Sequence, residues 1–426
     1  LAVARNPRMD DVCLTGLAKN VQDVGLKDFE SQIDMAALRQ GRLARAQQAL
    51  RAANCPAMVL YDPVNVRYCT GTRQMQVYSL QNPHRYAFVP AEGKPVMFEF
   101  GASGAQWVAR QITDTVGEVR PGIGWDYFAS GPSKAVKVRR WGGEIAELMA
   151  QVAPGDKRIA FDRLDPEGTD LLRGMGFEIV DGQEIMHRAR VYKTLEEILC
   201  LALSVQVCEI GFARIREALK PGMTEMALWS ILNQTNLELG GEWIFTRLLT
   251  SGGRTNPWFQ EAGEKRIRPG ELIACDSDMT GPFGYVSDIS RTFFCGPGRP
   301  TAQQKKMYTD AYDLLHHNIQ LMQVGRTWRD ICDSTWRLPD DYLANRYTVL
   351  HGTGLADEQP FVFNFEDRDR LPDPDGVCQP GMALCIEAYI GPENGPEGVK
   401  LEQQIITTEA GPQLLSTFPF EEDLLN

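Results

Sequence analysis

Six side chains that ionise or bind metals stand inside strongly apolar, strand-like stretches in the second half of this chain. Asp276 and Asp278 lie in LIACDSDM, Asp288 in YVSDISRTF, His351 in TVLHGTGL, Glu387 in MALCIEAYI and Glu402 in VKLEQQI. Strands rich in Val, Ile and Leu are built to be buried. A buried, unpaired carboxylate costs several kcal/mol in lost hydration. Five carboxylates and an imidazole therefore need positive charge close by, and two hard or borderline divalent cations would supply it. Any fold open to this chain has to bring these separate segments to one place.

Within LIACDSDMTGPFGYVSDISRTFF, the spacing of two predicts Asp276 and Asp278 on one face of a strand. TGPFG reads as the turn, and the return strand brings Asp288 back beside them. An acidic surface hairpin is the competing reading, and the apolar Leu272, Ile273, Val286 and Ile289 speak against it. Taken alone, His351 would be a hydrogen-bonded core residue, and Glu387 or Glu402 an edge-strand acid. The order Asp, Asp, His, Glu, Glu across half a chain favours a dinuclear site.

The 426 residues suffice for two domains with cores of their own. A net charge of -12 argues against nucleic acid as a partner and suits a small cationic or zwitterionic substrate. The same acidity also serves plain solubility. No run of about 18 apolar residues is evident, so no membrane span is expected. The opening LAVARNPRMDDVCL lacks the basic-then-apolar plan of a signal peptide. Ten cysteines without CxxC spacing read as reduced thiols of a cytoplasmic protein.

Residues 1–190 alternate helix and strand patterns. A helix is predicted near 35–55, then strands at AMVLYD, RYAFVP and PVMFEF, a helix at KAVKVRRWGGEIAELMAQV, a strand at RIAFD, a helix at LDPEGTDLLRGMG and a strand at FEIVDG. This predicts an α/β domain. Residues 191–426 form the second domain, with helices near 194–219, 224–239 and 302–323 among strand pairs. Thr194 and Glu197 have the spacing of a capping box.

These stretches resemble the creatinase, prolidase and methionine aminopeptidase superfamily. The resemblance rests on DSD…SDISRTF, HGTGL, PGMALCIEAYI and KLEQQIITTEAG, and covers roughly residues 190–416. It implies an α/β (α+β) protein, a creatinase-like N-terminal domain followed by a pita-bread metal-binding domain. It also implies that Asp276, Asp278, Asp288, His351, Glu387 and Glu402 hold two metal ions. Peptidase members carry a histidine shortly before the Asp hairpin and another after HGxG, in a VHE segment. Here Trp258 and Asp357 stand in those regions. Members usually have Asp-x-Gly, so Asp278 is an added acid. GGEWIFTRLLTSGGRTNPWFQE, HGTGLADEQP and YDPVNVRYCTGTRQMQVYSLQNPHRYAFV are similar to the dimethylsulfoniopropionate lyases of this superfamily, which form dimethyl sulfide and acrylate by β-elimination. That likeness implies Asp357 as general base and a homodimer, and it favours iron among iron, manganese, cobalt and zinc, all of which one imidazole and five carboxylates tolerate.

The chemistry fits the residues. Elimination removes a weakly acidic proton alpha to a carboxylate, which needs a positioned base and charge stabilisation. The sulfide leaves neutral, so no acid has to protonate it. Trp258, Tyr78, Trp243 and Tyr347 are candidates to face a sulfonium, with core packing as the competing role for each. Arg254 and Arg291 read as structural ion pairs more than as carboxylate ligands. His316-His317 lies mid-helix and cannot place both rings on one metal. Two other functions stay open: a metal-dependent C–N hydrolase or Xaa-Pro peptidase, and a silent relative that binds a partner.

Overall fold

The computed structural model describes residues 33–101 and 103–426. LAVARNPRMDDVCL, expected to lack a signal peptide, lies outside the described residues. The described chain forms two compact units, Asp34–Arg190 and Val191–Asn426.

The first unit is a mixed sheet of β1 (Ala57–Leu60), β2 (Tyr86–Pro90), β3 (Val96–Glu99), β4 (Glu118–Pro121), β5 (Arg158–Phe161) and β6 (Glu178–Asp181), in the order β4-β3-β2-β1-β5-β6. The helix Lys134–Val152 buries Val138, Trp141, Ile145, Leu148 and Met149. Their spacing of three and four makes one apolar stripe, which packs with Val59, Phe88 and Phe98 of the sheet. Short helices occupy stretches that pattern alone leaves as connections. One is Pro63–Thr70, held by the Asp62 cap and by Pro63 at its first position.

In the second unit the long helices are Leu195–Ala218, Glu225–Glu238 and Ala302–Gln320. The capping box is present: the Thr194 hydroxyl accepts the Glu197 amide at 3.2 Å, and Glu197 accepts the Thr194 amide at 2.9 Å. One expectation is corrected. Leu195–Ala218, with a mean hydropathy of 1.8, is long and apolar enough by composition to cross a membrane, yet 78% of that stretch is buried inside the protein. A helix apolar all round is what a core position demands.

The strands are β7 (Trp243–Ile244), β8 (Leu249–Ser251), β9 (Leu272–Asp276), β10 (Met279–Thr280), β11 (Val286–Ser287), β12 (Ser290–Phe294), β13 (Leu350–Thr353), β14 (Asp357–Val362), β15 (Ala383–Ile390), β16 (Val399–Thr408) and β17 (Gly411–Leu414). They form sheets β11-β10-β7, β12-β9-β8 and β14-β13-β15-β16-β17. Leu384, Ile386, Ala388 and Ile390 of β15, with Val399, Leu401 and Ile405 of β16, share a core with Met307, Leu314, Leu315 and Ile319 of the helix Ala302–Gln320. Alternation then turns Cys385, Glu387 and Tyr389, and Lys400, Glu402 and Gln404, to the opposite face. Nine cysteines among the described residues are buried as thiols rather than as disulfides.

Candidate metal centre

The Asp hairpin is bent where a straight one was expected. β9 ends at Asp276, which pairs with Ser290 of β12. The chain then turns through Asp278, whose φ is +36°, and re-forms pairing in another sheet as Met279 opposite Ser287. Strand alternation therefore does not run through to Asp278. Glycine adopts this left-handed backbone freely, and Asp tolerates it better than most residues. Ser277 locks the bend, its hydroxyl donating to the Ser287 carbonyl and accepting the Ile289 amide, both at 2.9 Å. Thr246 donates to the Asp278 carboxylate at 2.5 Å.

The five-stranded sheet supplies the rest. Glu387 pairs directly with Glu402, Cys385 with Gln404, and His351 with Cys385. The Nε2 of His351 lies 3.4 Å from Asp288 Oδ2 and 3.4 Å from Glu387 Oε1. Its Nδ1 lies 3.0 Å from the Gly352 carbonyl. A proton on Nδ1 would bond that carbonyl and turn the Nε2 lone pair toward the acids, the usual posture of a ligating histidine. Donor atoms of Asp288, His351, Cys385 and Glu402 all lie within 4.8 Å of one another.

The acids fit a metal because they outnumber the positive charge set among them. Asp276 Oδ1, Asp288 Oδ1 and Glu402 Oε1 are buried without a hydrogen-bond partner among the described residues. Burial, reinforced by neighbouring acids, pushes Asp288 and Glu402 well above the ordinary carboxylate range. Burial and the charge of Asp276 raise Asp278 to about 8. Burial pulls His351 down, but Glu387, Asp357 and Glu402 outweigh it and raise it to about 10. Groups this reluctant to lose protons are waiting for cations. Carboxylate oxygens with one imidazole suit hard or borderline divalent ions. Burial holds the Cys385 thiol far above its usual range, so it lines the site as a neutral group.

Sequence reading overlooked Lys400. Its ammonium is fully buried, 2.6 Å from Glu387, 3.0 Å from Glu402 and 3.3 Å from Asp276. It donates to the Ser290 hydroxyl at 2.7 Å, which donates in turn to Glu402 at 2.7 Å. The signal was available, since Lys400 stands two residues before Glu402 in one strand, as Cys385 does before Glu387. Arg291 supports the same strand, donating to the Ser290, Glu402 and Phe418 carbonyls and to Gln403. Arg254 pairs with the buried Glu225. Arg254 thus forms the kind of ion pair favoured from sequence, whereas Arg291 holds the strand through neutral acceptors instead.

Asp357 opens β14 opposite Thr353. Its side chain is exposed, yet the surrounding protein still strips it of some water. That desolvation raises its pKa; His351 opposes, while Glu387 and Asp276 add to the rise. The next residue, Glu358, is buried and paired with Lys193 at 2.5 Å, which fixes the start of the strand. Trp258 is buried with Leu248, Ala274 and Tyr389, and Tyr347 packs against this cluster. Lys400 lies over both rings, at 5.5 Å from Trp258 and 5.7 Å from Tyr347. Trp243 is half-buried in β7 opposite Thr280. Tyr78 belongs to the first unit, where its ring meets Phe100 at 5.8 Å.

His351 is the imidazole of the acid cluster. His316 and His317 bond the carbonyls of Tyr312 and Ser334 instead, and His84 and His187 belong to the first unit.

Residues 200–409 match metallopeptidase family M24, and residues 42–191 match the creatinase/prolidase N-terminal domain. The chain is 34% identical over 398 residues to dimethylsulfoniopropionate lyase DddP of Roseovarius nubinhibens, covering 92% of this chain and 88% of the relative. It is 33% identical to the lyase of the same name from Roseobacter denitrificans, with the same coverage. Among solved structures, an Xaa-Pro dipeptidase from Bacillus anthracis superposes with a TM-score of 0.72 at 20% identity, over 90% of this chain and 99% of that one. The prolidase from Pyrococcus horikoshii gives 0.70 at 18%, over 89% and 99%. At such identities the structures share the fold.

Proposed function

The chain belongs to the dimethylsulfoniopropionate lyases built on the creatinase/prolidase scaffold, and from that premise we propose how its residues divide the work. It is a carbon–sulfur lyase that cleaves dimethylsulfoniopropionate to dimethyl sulfide and acrylate. The observation that carries this reading is the site's lone imidazole, facing the acids, with the solvent-reaching Asp357 beside it. Amide hydrolysis has to protonate a departing amine, and the catalytic unit offers no second histidine at the acids to do so. A sulfide leaves without a proton.

Asp276, Asp278, Asp288, His351, Glu387 and Glu402 would hold the divalent ions this family uses. Bound there, the ions supply Lewis acidity that stabilises negative charge on a substrate carboxylate. Asp357 accepts the proton from the carbon next to that carboxylate. The freed electron pair becomes the new carbon–carbon double bond, and the carbon–sulfur bond breaks with its electrons going to sulfur. Lys400 and Ser290 hold Glu402 and Glu387 in place. The likeness to the lyases supports iron as the metal and a homodimer as the assembly. The buried thiols support a reducing, cytoplasmic setting.

The test is headspace dimethyl sulfide from purified, metal-loaded protein, beside Asp357→Asn. The parent should release it. The variant should keep its metal and fold and lose about 10²–10⁴-fold in rate. Near-parent rates in the variant would move the base elsewhere. Brisk cleavage of Xaa-Pro dipeptides by a parent that releases no sulfide would return the protein to the hydrolases.

A further inference from the structure

We propose that Phe259 is the aromatic ring that receives the cationic end of the substrate, and that it sets the preference for a sulfonium over an uncharged group. The inference rests on the lyase reading above.

A sulfonium carries no N–H or O–H, so hydrogen bonds cannot recognise it. It is recognised by an aromatic face and by close contact with its methyl groups. Trp258 and Tyr347 share the ammonium that the acids hold, and both are thereby already engaged. The buried ammonium of Lys400 lies over each, at 5.5 and 5.7 Å. A second cation on those surfaces would meet a fixed like charge. Trp258 is also only 8% exposed, walled in by Leu248, Ala274 and Tyr389.

Phe259 differs in each respect. It is 59% exposed, and no cation lies over its ring among the contacts of the described residues. It stands edgewise to Tyr347, with centroids 5.1 Å apart and planes at 73°, and 6.4 Å from Trp258. The ring is thus tied to the aromatic wall of the acid site while much of its surface stays open. Its φ is +72°, a left-handed conformation that a phenylalanine rarely adopts. An exposed apolar ring and an unfavourable backbone on one residue persist where the surroundings impose them, and such residues gather at ligand sites. The acids draw any cation toward this end of the unit. An open, unclaimed ring at its edge gives that cation a place.

The experiment compares two unreactive carboxylates of one shape, 3-(trimethylammonio)propanoate and its neutral carbon isostere 4,4-dimethylpentanoate. Each is titrated calorimetrically into metal-loaded parent, Phe259→Leu and Phe259→Trp, and each is also used to inhibit sulfide release. The parent should prefer the cation. Phe259→Leu should lose that preference by about 3- to 30-fold, with the neutral analogue within about twofold of parent, and Phe259→Trp should keep it. An unchanged preference in Phe259→Leu overturns the proposal. So does an equal weakening of both analogues together with a smaller mass on gel filtration, which would make Phe259 a subunit contact. If the parent releases no dimethyl sulfide, the lyase reading fails, while calorimetry still decides whether Phe259 selects cations.

Discussion

Replacing Lys400 with methionine keeps length and apolar stem but removes the one ammonium set among three carboxylates. Lys400 is fully buried, with Glu387, Glu402 and Asp276 at 2.6, 3.0 and 3.3 Å. Removing one partner from a buried charged cluster costs about 3–5 kcal/mol, because the remaining charges lose their compensation. For a unit of this size each kcal/mol shifts Tm by about 2–4 °C. Metal-free Lys400→Met should therefore melt about 6–20 °C below metal-free parent. Bound divalent ions restore much of the missing charge, so the loaded variant should lose less. The gap in Tm between loaded and chelated protein should then widen by at least about 5 °C, since binding stabilises the folded state by linkage. Scanning calorimetry with chelator and with added iron or manganese measures both numbers, and Lys400→Arg controls for charge. An unchanged gap, or a chelated variant as stable as parent, would show that Lys400 does not compensate these acids.

Two further outcomes concern the metals. Purified parent should hold about two divalent ions per chain by elemental analysis, and Asp288→Ala and Glu402→Ala should each lose metal; full occupancy in both variants would sink the assigned site. Metal-free protein should lose stability as pH rises. Folded Asp278 titrates at about 8 and His351 at about 10, against about 3.9 and 6.5 unfolded. The folded state thus holds extra protons between those limits, and stability present at the acid end falls by up to about 1.4 kcal/mol per pH unit for each group. Chelated protein should melt lower at pH 8 than at pH 6, and more steeply so than loaded protein; a chelated Tm that climbs over that range contradicts the assignment.

What was legible in the sequence was whatever local pattern controls. Glu387 and Glu402 stood out because each interrupts an apolar strand, and their pairing follows once β15 and β16 are adjacent. The Thr194–Glu197 box marked a helix start because capping needs only four residues. The bend at Asp278 was not legible, because alternation assumes that a strand continues. Here the strand is ended by pairing with β7 and β11, which are distant or newly formed elements. Lys400 was passed over because a lysine in a strand usually faces water, although its spacing from Glu402 put it on the acid face. The apolar character of Leu195–Ala218 was masked by Glu, Gln, Ser and Cys scattered among its aliphatics, residues that the core accepts when partnered. Phe259 carried no local signal at all, since its exposure and its left-handed backbone are set by the loop around it.

Formal charge gives an independent reason for two divalent ions. Asp276, Asp278, Asp288, Glu387 and Glu402 bring five negative charges when ionised. Lys400 returns one, and a neutral His351 changes nothing. Four negative charges remain, which two divalent cations cancel and a single one leaves half exposed in a buried site. A buried charge left unpaired is the costly outcome, so the side chains favour the dinuclear state by their own count. Asp357 falls outside that balance. It faces solvent at the start of β14, bears a charge the metals are not needed to neutralise, and stays free to accept a proton. The ligand acids could not serve as that base without giving up a cation. Lysine at position 400 would thus match the five acids to two ions, and would leave a sixth acid at position 357 for the proposed proton transfer.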